Sequence, residues 1–191
     1  MQTLELTAHP ARPPVQVSGI EARVTGLDAQ WLRLRWRVEG AQALVVPPFA
    51  GRGRADGLWQ TTCFELFVRD GAGPGYVEFN LSPSERWNAY RFADTRAGQE
   101  EFALPQEPVC TLRQGSSFAI FDAAIPFVPL FAGEPAIAIS AVIEEEGGVL
   151  SYWALGHPGD QPDFHAPLAS PPSFRQRRRH EIRHRPAARR P

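Results

Sequence analysis

An antiparallel β-sandwich is the fold the sequence predicts, on three observations. Residues 31–38 alternate apolar Leu32, Leu34, Trp36 and Val38 with Arg33, Arg35 and Arg37, the period-two pattern of a strand with one buried and one solvated face. Short apolar runs of the same kind recur along the chain, separated by turn residues such as Gly73-Pro74-Gly75, Ser82-Pro83-Ser84 and Gly147-Gly148. Nineteen prolines are spread through 191 residues, which opposes long helices. A basic tail, expected to be disordered, follows the sandwich.

Taken in order, strands are expected at residues 15–24, 31–38, 43–46, 61–69, 76–81, 86–92, 109–113, 118–125, 136–143 and 149–155. Residues 125–134 are apolar but aperiodic, and read as a packed connection with one short helical turn. The hairpin 61–81 can be derived with its register. If the loop 70–75 joins its two strands, Phe64, Leu66 and Val68 oppose Leu81, Phe79 and Val77 and make one face wholly apolar. Glu65 then opposes Asn80 and Phe67 opposes Glu78 on the other. A slip of one residue would set Phe and Leu against Glu and Asn, so the pattern specifies the pairing.

With 43% hydrophobic residues the chain can bury a sizeable core. No apolar run approaches the roughly 18 residues of a membrane span, and the first 14 residues lack a signal-like apolar stretch. A cytoplasmic location is expected, with Cys63 and Cys110 reduced and no membrane partner. All 20 basic residues are arginine, and eight of them fall in residues 171–191, where only Glu181 opposes them. An acidic body of net −8 therefore carries a tail of net +7. The domain boundary is set at 1–168 for the sandwich and 169–191 for the tail. That tail could touch phosphates, but without interleaved aromatics its plainer reading is a solvated segment, and nucleic acid is not expected as a partner.

The polar face of the hairpin is the first functional hint. Glu65, Glu78 and Asn80 lie there beside Phe67 and Tyr76, with Trp59 on the same side by even spacing. One reading is a solvated sheet face with incidental aromatics. The other is a ligand platform, rings stacking on the C–H faces of a sugar while carboxylates and amides bond its hydroxyls. On a straight strand Trp59 and Glu65 would lie about 20 Å apart, so a shared ligand requires a bend between them.

Residues 58–68, 76–84 and 87–92, with Ser151-Tyr-Trp-Ala-Leu-Gly-His157 and Pro162-Asp-Phe-His165, resemble bacterial DOMON-like domain proteins, a group related to the family 9 carbohydrate-binding modules. The resemblance spans about residues 5–165 and implies a β-sandwich that binds a sugar or, in other DOMON branches, haem. In the sugar-binding modules two tryptophans clamp a terminal sugar while a Glu and an Arg bond its hydroxyls. By that correspondence Trp59 and Trp153 are the walls, and Glu65 and Arg86 the polar contacts. Glu78, Asn80, Trp87 and His157 complete the candidate set, although the turn at 82–85 leaves open whether Trp87 or Tyr90 points inward.

Two alternatives stand beside a non-catalytic carbohydrate-binding module. The cytochrome branch of DOMON ligates haem iron with Met and His. Here the only methionine is Met1, leaving His157 and His165 as body candidates that read more simply as loop residues. A glycoside-processing enzyme would need two carboxyls about 5–10 Å apart, which Glu65 and Glu78 could supply diagonally across two strands. Those acids fall on a face read as solvated, and no Gly-x-Ser-x-Gly, His-Glu-x-x-His or phosphate-loop pattern occurs. Two cysteines separated by 46 intervening residues make no zinc site, while scattered acids leave calcium in a loop open. Neither catalysis nor a cofactor is expected.

Overall fold

A computed structural model describes residues 3–69, 73–132 and 135–165. Twelve strands form it: β1 (Leu4–Ala8), β2 (Gly19–Leu27), β3 (Trp31–Glu39), β4 (Gly53–Arg54), β5 (Cys63–Arg69), β6 (Tyr76–Leu81), β7 (Arg86–Phe92), β8 (Glu100–Glu101), β9 (Val109–Gln114), β10 (Phe118–Pro126), β11 (Ala136–Glu145) and β12 (Val149–Ala154). They hydrogen-bond in the order β4-β7-β6-β5-β11-β12-β1-β2-β3-β10-β9, with β8 added to β7. Every pairing is antiparallel except the short parallel contact of β4 with β7.

β1 is the seam that turns this path into a sandwich. Its first half, Leu4 to Leu6, pairs with β2, while Thr7 and Ala8 pair with β12. The sheet therefore curls on itself, and the inner faces of its two halves pack together. Trp36 on β3, Phe121 on β10 and Phe64 on β5 meet at the centre, with the Phe64 and Phe121 rings stacked 4.2 Å apart. All three are fully buried. Rings in such offset contact add to what burial alone contributes.

The register derived for the β5–β6 hairpin is found: Phe64, Leu66 and Val68 pair with Leu81, Phe79 and Val77, and Glu65 with Asn80. The short turn in the apolar connection is a 3-10 turn at Pro129–Phe131. Other expectations need correction. Residues 43–46 form no strand; Ala41–Ala43 is a 3-10 turn, and Leu44 makes a single bridge to Glu145. β1 lay unpredicted in a Pro-flanked N-terminus. β2 starts at Gly19 rather than at residue 15, because the backbone N–H groups of Val15, Gln16 and Val17 are taken by a side chain. All three donate to the carboxylate of Glu145, at 2.7, 2.5 and 2.9 Å. Both cysteines are free thiols. The tail after residue 165 and the boundary at 168 lie outside the described residues.

Glu145 is fully buried, and no other side chain bonds those three N–H groups. Of the three donors only that of Val17 is fully buried, and leaving a buried donor unpaired costs about 1–3 kcal/mol. Glu145→Ala is therefore expected to lower unfolding free energy by about 1–3 kcal/mol in urea titration. Exposed Glu146→Ala should change it by less than about 0.5 kcal/mol.

Candidate functional site

Alternation along β5, β6 and β7 decides what reaches the outer face. With Phe64, Leu66, Val68, Val77, Phe79 and Leu81 in the core, Glu65, Phe67, Tyr76, Glu78 and Asn80 must point the other way. β7 extends the pattern, since Leu81 pairs with Trp87 and Glu78 with Tyr90. Trp87 consequently goes inward and Tyr90 outward. Phe92 stacks on Tyr76 at 4.9 Å.

This outer face is not solvated, contrary to the plainer reading of the sequence. Two segments far apart in the chain cover it: the turn containing Asp56, Gly57 and Trp59, and residues 161–165. Together they enclose a cavity of about 740 Å3. Glu65, Glu78 and Asn80 are only 3%, 7% and 2% exposed. Both acids therefore sit in a recess rather than on an open sheet.

Trp59 reaches this cavity because the chain bends. Gly57, at φ 68°, starts a 3-10 turn over Leu58–Gln60. Thr61 and Thr62 then fasten the bend, their hydroxyls donating to Glu144 Oε2 and to the carbonyl of Val45, each at 2.6 Å. The bend thus lets Trp59 and Glu65 line one cavity, which a straight strand would not. Trp59 remains 51% exposed at the mouth.

On the opposite side His165 is wedged among Phe67, Tyr76 and Phe92, bonded through Nδ1 to the Tyr76 hydroxyl. Its Nε2 stands 3.9 Å from Glu78 Oε2. Arg96 pairs with Asp163 at 2.8 Å and fixes the segment that carries His165. Arg96 has φ 55°, and its backbone N–H donates to the Tyr76 hydroxyl. Left-handed backbone at a non-glycine residue costs on the order of 1 kcal/mol and tends to mark constrained sites.

Burial dominates the electrostatics. It lifts the Glu65 carboxyl to about 8, with repulsion from Glu78 adding to the effect and the Ser140 hydroxyl, donating at 3.0 Å, partly offsetting it. Burial also raises Glu78, against the Asn80 amide donating at 2.8 Å and the charge of Arg96. Burial therefore favours the protonated form of both acids, with Glu65, at about 8, the one raised further. Burial holds His165 down at about 4, so its imidazole is neutral. Burial raises the Tyr90 phenol, which donates to Asp56 and accepts from Asn88 at 2.7 Å.

Of the residues singled out in the sequence, Trp59, Glu65, Glu78 and Asn80 come together in this cavity. Four others do not. Trp87 and Trp153 are 4% exposed and belong to the inner core. Trp153 pairs across the sheet with Ala141, an inner position, so parity forbids it from forming a second wall. Arg86 donates to the carbonyl of Ala50, away from the cavity. His157 packs edge-on to His9 and bonds the carbonyl of Thr7. The two histidines considered as haem ligands are thus apart, and His165, already engaged by Tyr76, faces carboxyls. These residues do not fit a haem.

The sequence reading missed Tyr90, Tyr152, Asp56 and Phe164 among the lining residues. Tyr90 was within reach. Pairing Leu81 with Trp87 across the turn sends Trp87 inward and Tyr90 outward by alternation alone. Asp56, Phe164 and His165 arrive by tertiary closure and leave no local signal.

No family model and no curated protein sequence matches the chain. Among solved structures it is similar to a provisionally assigned carbohydrate-binding protein from Bacteroides uniformis, with TM-score 0.57 and 16% identity over 87% of this chain and 82% of that one. A family 9 carbohydrate-binding module from Caldicellulosiruptor kristjanssonii, solved with glucose, superposes with TM-score 0.43 and 9% identity over 80% of this chain and 74% of that one. At such identities the likeness is one of fold.

A carboxyl raised by burial weakens the fold as pH rises. Below about 4.5 Glu65 is protonated in both states, and between 4.5 and about 8 only the unfolded chain ionises it. Glu65→Gln lacks this penalty. Its melting temperature relative to the unaltered protein should climb between pH 5 and 8, the free-energy gap widening by up to about 4 kcal/mol. His165 acts in the opposite sense, contributing stability above pH 6.5 that is lost as pH falls toward 4. That trend is common to both proteins and cancels in the difference. A gap that stays constant with pH would mean Glu65 is ionised throughout.

Proposed function

We propose that the chain is a non-catalytic carbohydrate-binding module whose ligand enters the cavity on the outer face of β5, β6 and β7. One observation carries the reading: a single recess holds both aromatic surface and buried polar side chains with bonding capacity to spare. Trp59 at the mouth, with Phe67, Tyr90, Phe92 and Tyr152 along the walls, offers rings for the apolar C–H faces of a sugar. Glu78 and Asn80 on the floor accept from and donate to its hydroxyls, while protonated Glu65 can do either. Rings and polar groups share this lining, which suits a ligand with apolar C–H faces and a polar rim. The fold shared with the Bacteroides protein supports the same reading.

The residues act by holding and orienting. Tyr90 is fixed by Asp56 and Asn88, and Asn88 is fixed in turn by Arg54, whose guanidinium donates to it at 2.7 Å. Arg54 itself lies over the Trp87 ring at 4.2 Å. The inward tryptophan thereby supports the polar wall from beneath, through a cation–π contact. Exclusion of water from the floor strengthens each hydrogen bond that a ligand makes there.

Trp59 is half exposed and sits on a turn, so its loss should leave the fold intact. Trp59→Ala is expected to abolish binding on a glycan array while changing stability by less than about 1 kcal/mol. A mutant that keeps its glycan signal would remove Trp59 from the site. If the unaltered protein gives no signal on the array, the carbohydrate reading fails.

A further inference from the structure

We propose that the ligand of this cavity is an amino sugar whose protonated amine seats against Glu65 and Glu78; the inference deepens the carbohydrate reading and rests on it. The floor has more acceptors than the protein fills. Glu65 receives one hydrogen bond, at Oε2 from Ser140, and Glu78 one, at Oε1 from Asn80. The second oxygen of each acid takes no hydrogen bond among the described residues, and His165 Nε2, at 3.9 Å from Glu78, is too distant to supply one. Glu65 is 3% exposed and lines the cavity, so its free oxygen is met only by what occupies the cavity, water or a ligand.

Charge separates an amine from a hydroxyl. The groups packed around the two acids give no uncommitted cation at the floor. His165 is neutral, and burial keeps the Cys63 thiol and the Tyr76 phenol protonated. Arg96 is engaged by Asp163. Asp56, held by Tyr90, adds a further negative charge, opposed only by Arg12 among the remaining lining residues. A neutral hexose brings the two acids no positive charge beyond that of Arg96, which Asp163 already engages. An ammonium supplies three donors and a full charge, enough to bridge both carboxyls. The face of Tyr90 or Tyr152 can also take part of that charge. With a cation between them both acids ionise, so the proton held by Glu65 leaves to solvent as the amine binds.

The test is calorimetric titration of the full chain at pH 6.5 with glucosamine, glucose and N-acetylglucosamine, each in two buffers of different ionisation enthalpy. Glucosamine should bind at least about tenfold more tightly than glucose. Acetylation, which removes the charge, should erase that advantage. Glucosamine binding should release about one proton and glucose binding none. Glu65→Gln, isosteric with the protonated acid, should abolish the release and most of the preference. Glucose binding as tightly as glucosamine would overturn the amine assignment and leave the carbohydrate reading standing. If none of the three sugars binds and the glycan array is also blank, both fail together.

Discussion

The whole arrangement depends on β5 and β6 being buried on both faces. Their inner face is an unbroken apolar surface in which Leu66 meets Phe79, and this locks the register, since a slip of one residue would drive Glu65 and Glu78 into the core. Burying an unpaired carboxylate there would cost more than a small domain can spare. The same lock presents the two acids together on the outer face. Site geometry is thus a by-product of core packing: the residues that define the cavity floor are placed by residues that never touch a ligand.

Closure over that face turns a polar surface into a chemically distinct one. Were β5 and β6 open to water, Glu65 and Glu78 would be ordinary solvated carboxylates. The turn around Trp59 and the segment carrying His165 bury the acids, which raises both carboxyls and sets them in repulsion. The structure stores a cost here, in the carboxyl pair and in the left-handed backbone of Arg96, that a ligand with donors to spare would relieve.

Much of this was legible in the sequence, for a physical reason. Strand alternation is a local code, and in the β5–β6 hairpin a short loop ties the two halves of the code together. The apolar face and the Glu65, Phe67, Glu78 and Asn80 face could therefore be read before any coordinates. Trp87 and Trp153 illustrate the limit. Resemblance suggested Trp153 as a wall and left Trp87 open, yet each is inward by parity, Trp153 opposite Ala141 and Trp87 opposite Leu81. A pairing register would have settled both, whereas residue type could not. β1 escaped because it is a five-residue strand whose role, joining the two halves of the sheet, is entirely tertiary. The burial of Glu65 and the approach of His165 were illegible for the same reason: the covering segments are distant in sequence and carry no periodic signature.

The central claim is that Glu65 and Glu78 form a coupled carboxyl pair, both raised by burial, on the floor of the cavity. Carbon-13 NMR of the glutamate side-chain carboxyls, followed through a pH titration with and without added saccharide, tests it most directly. The account predicts one resonance that titrates near pH 8 and a second raised above the ordinary carboxyl value, both of which shift when a bound sugar is present. Glutamates that all titrate in the ordinary range near 4 to 5 and ignore the sugar would contradict it.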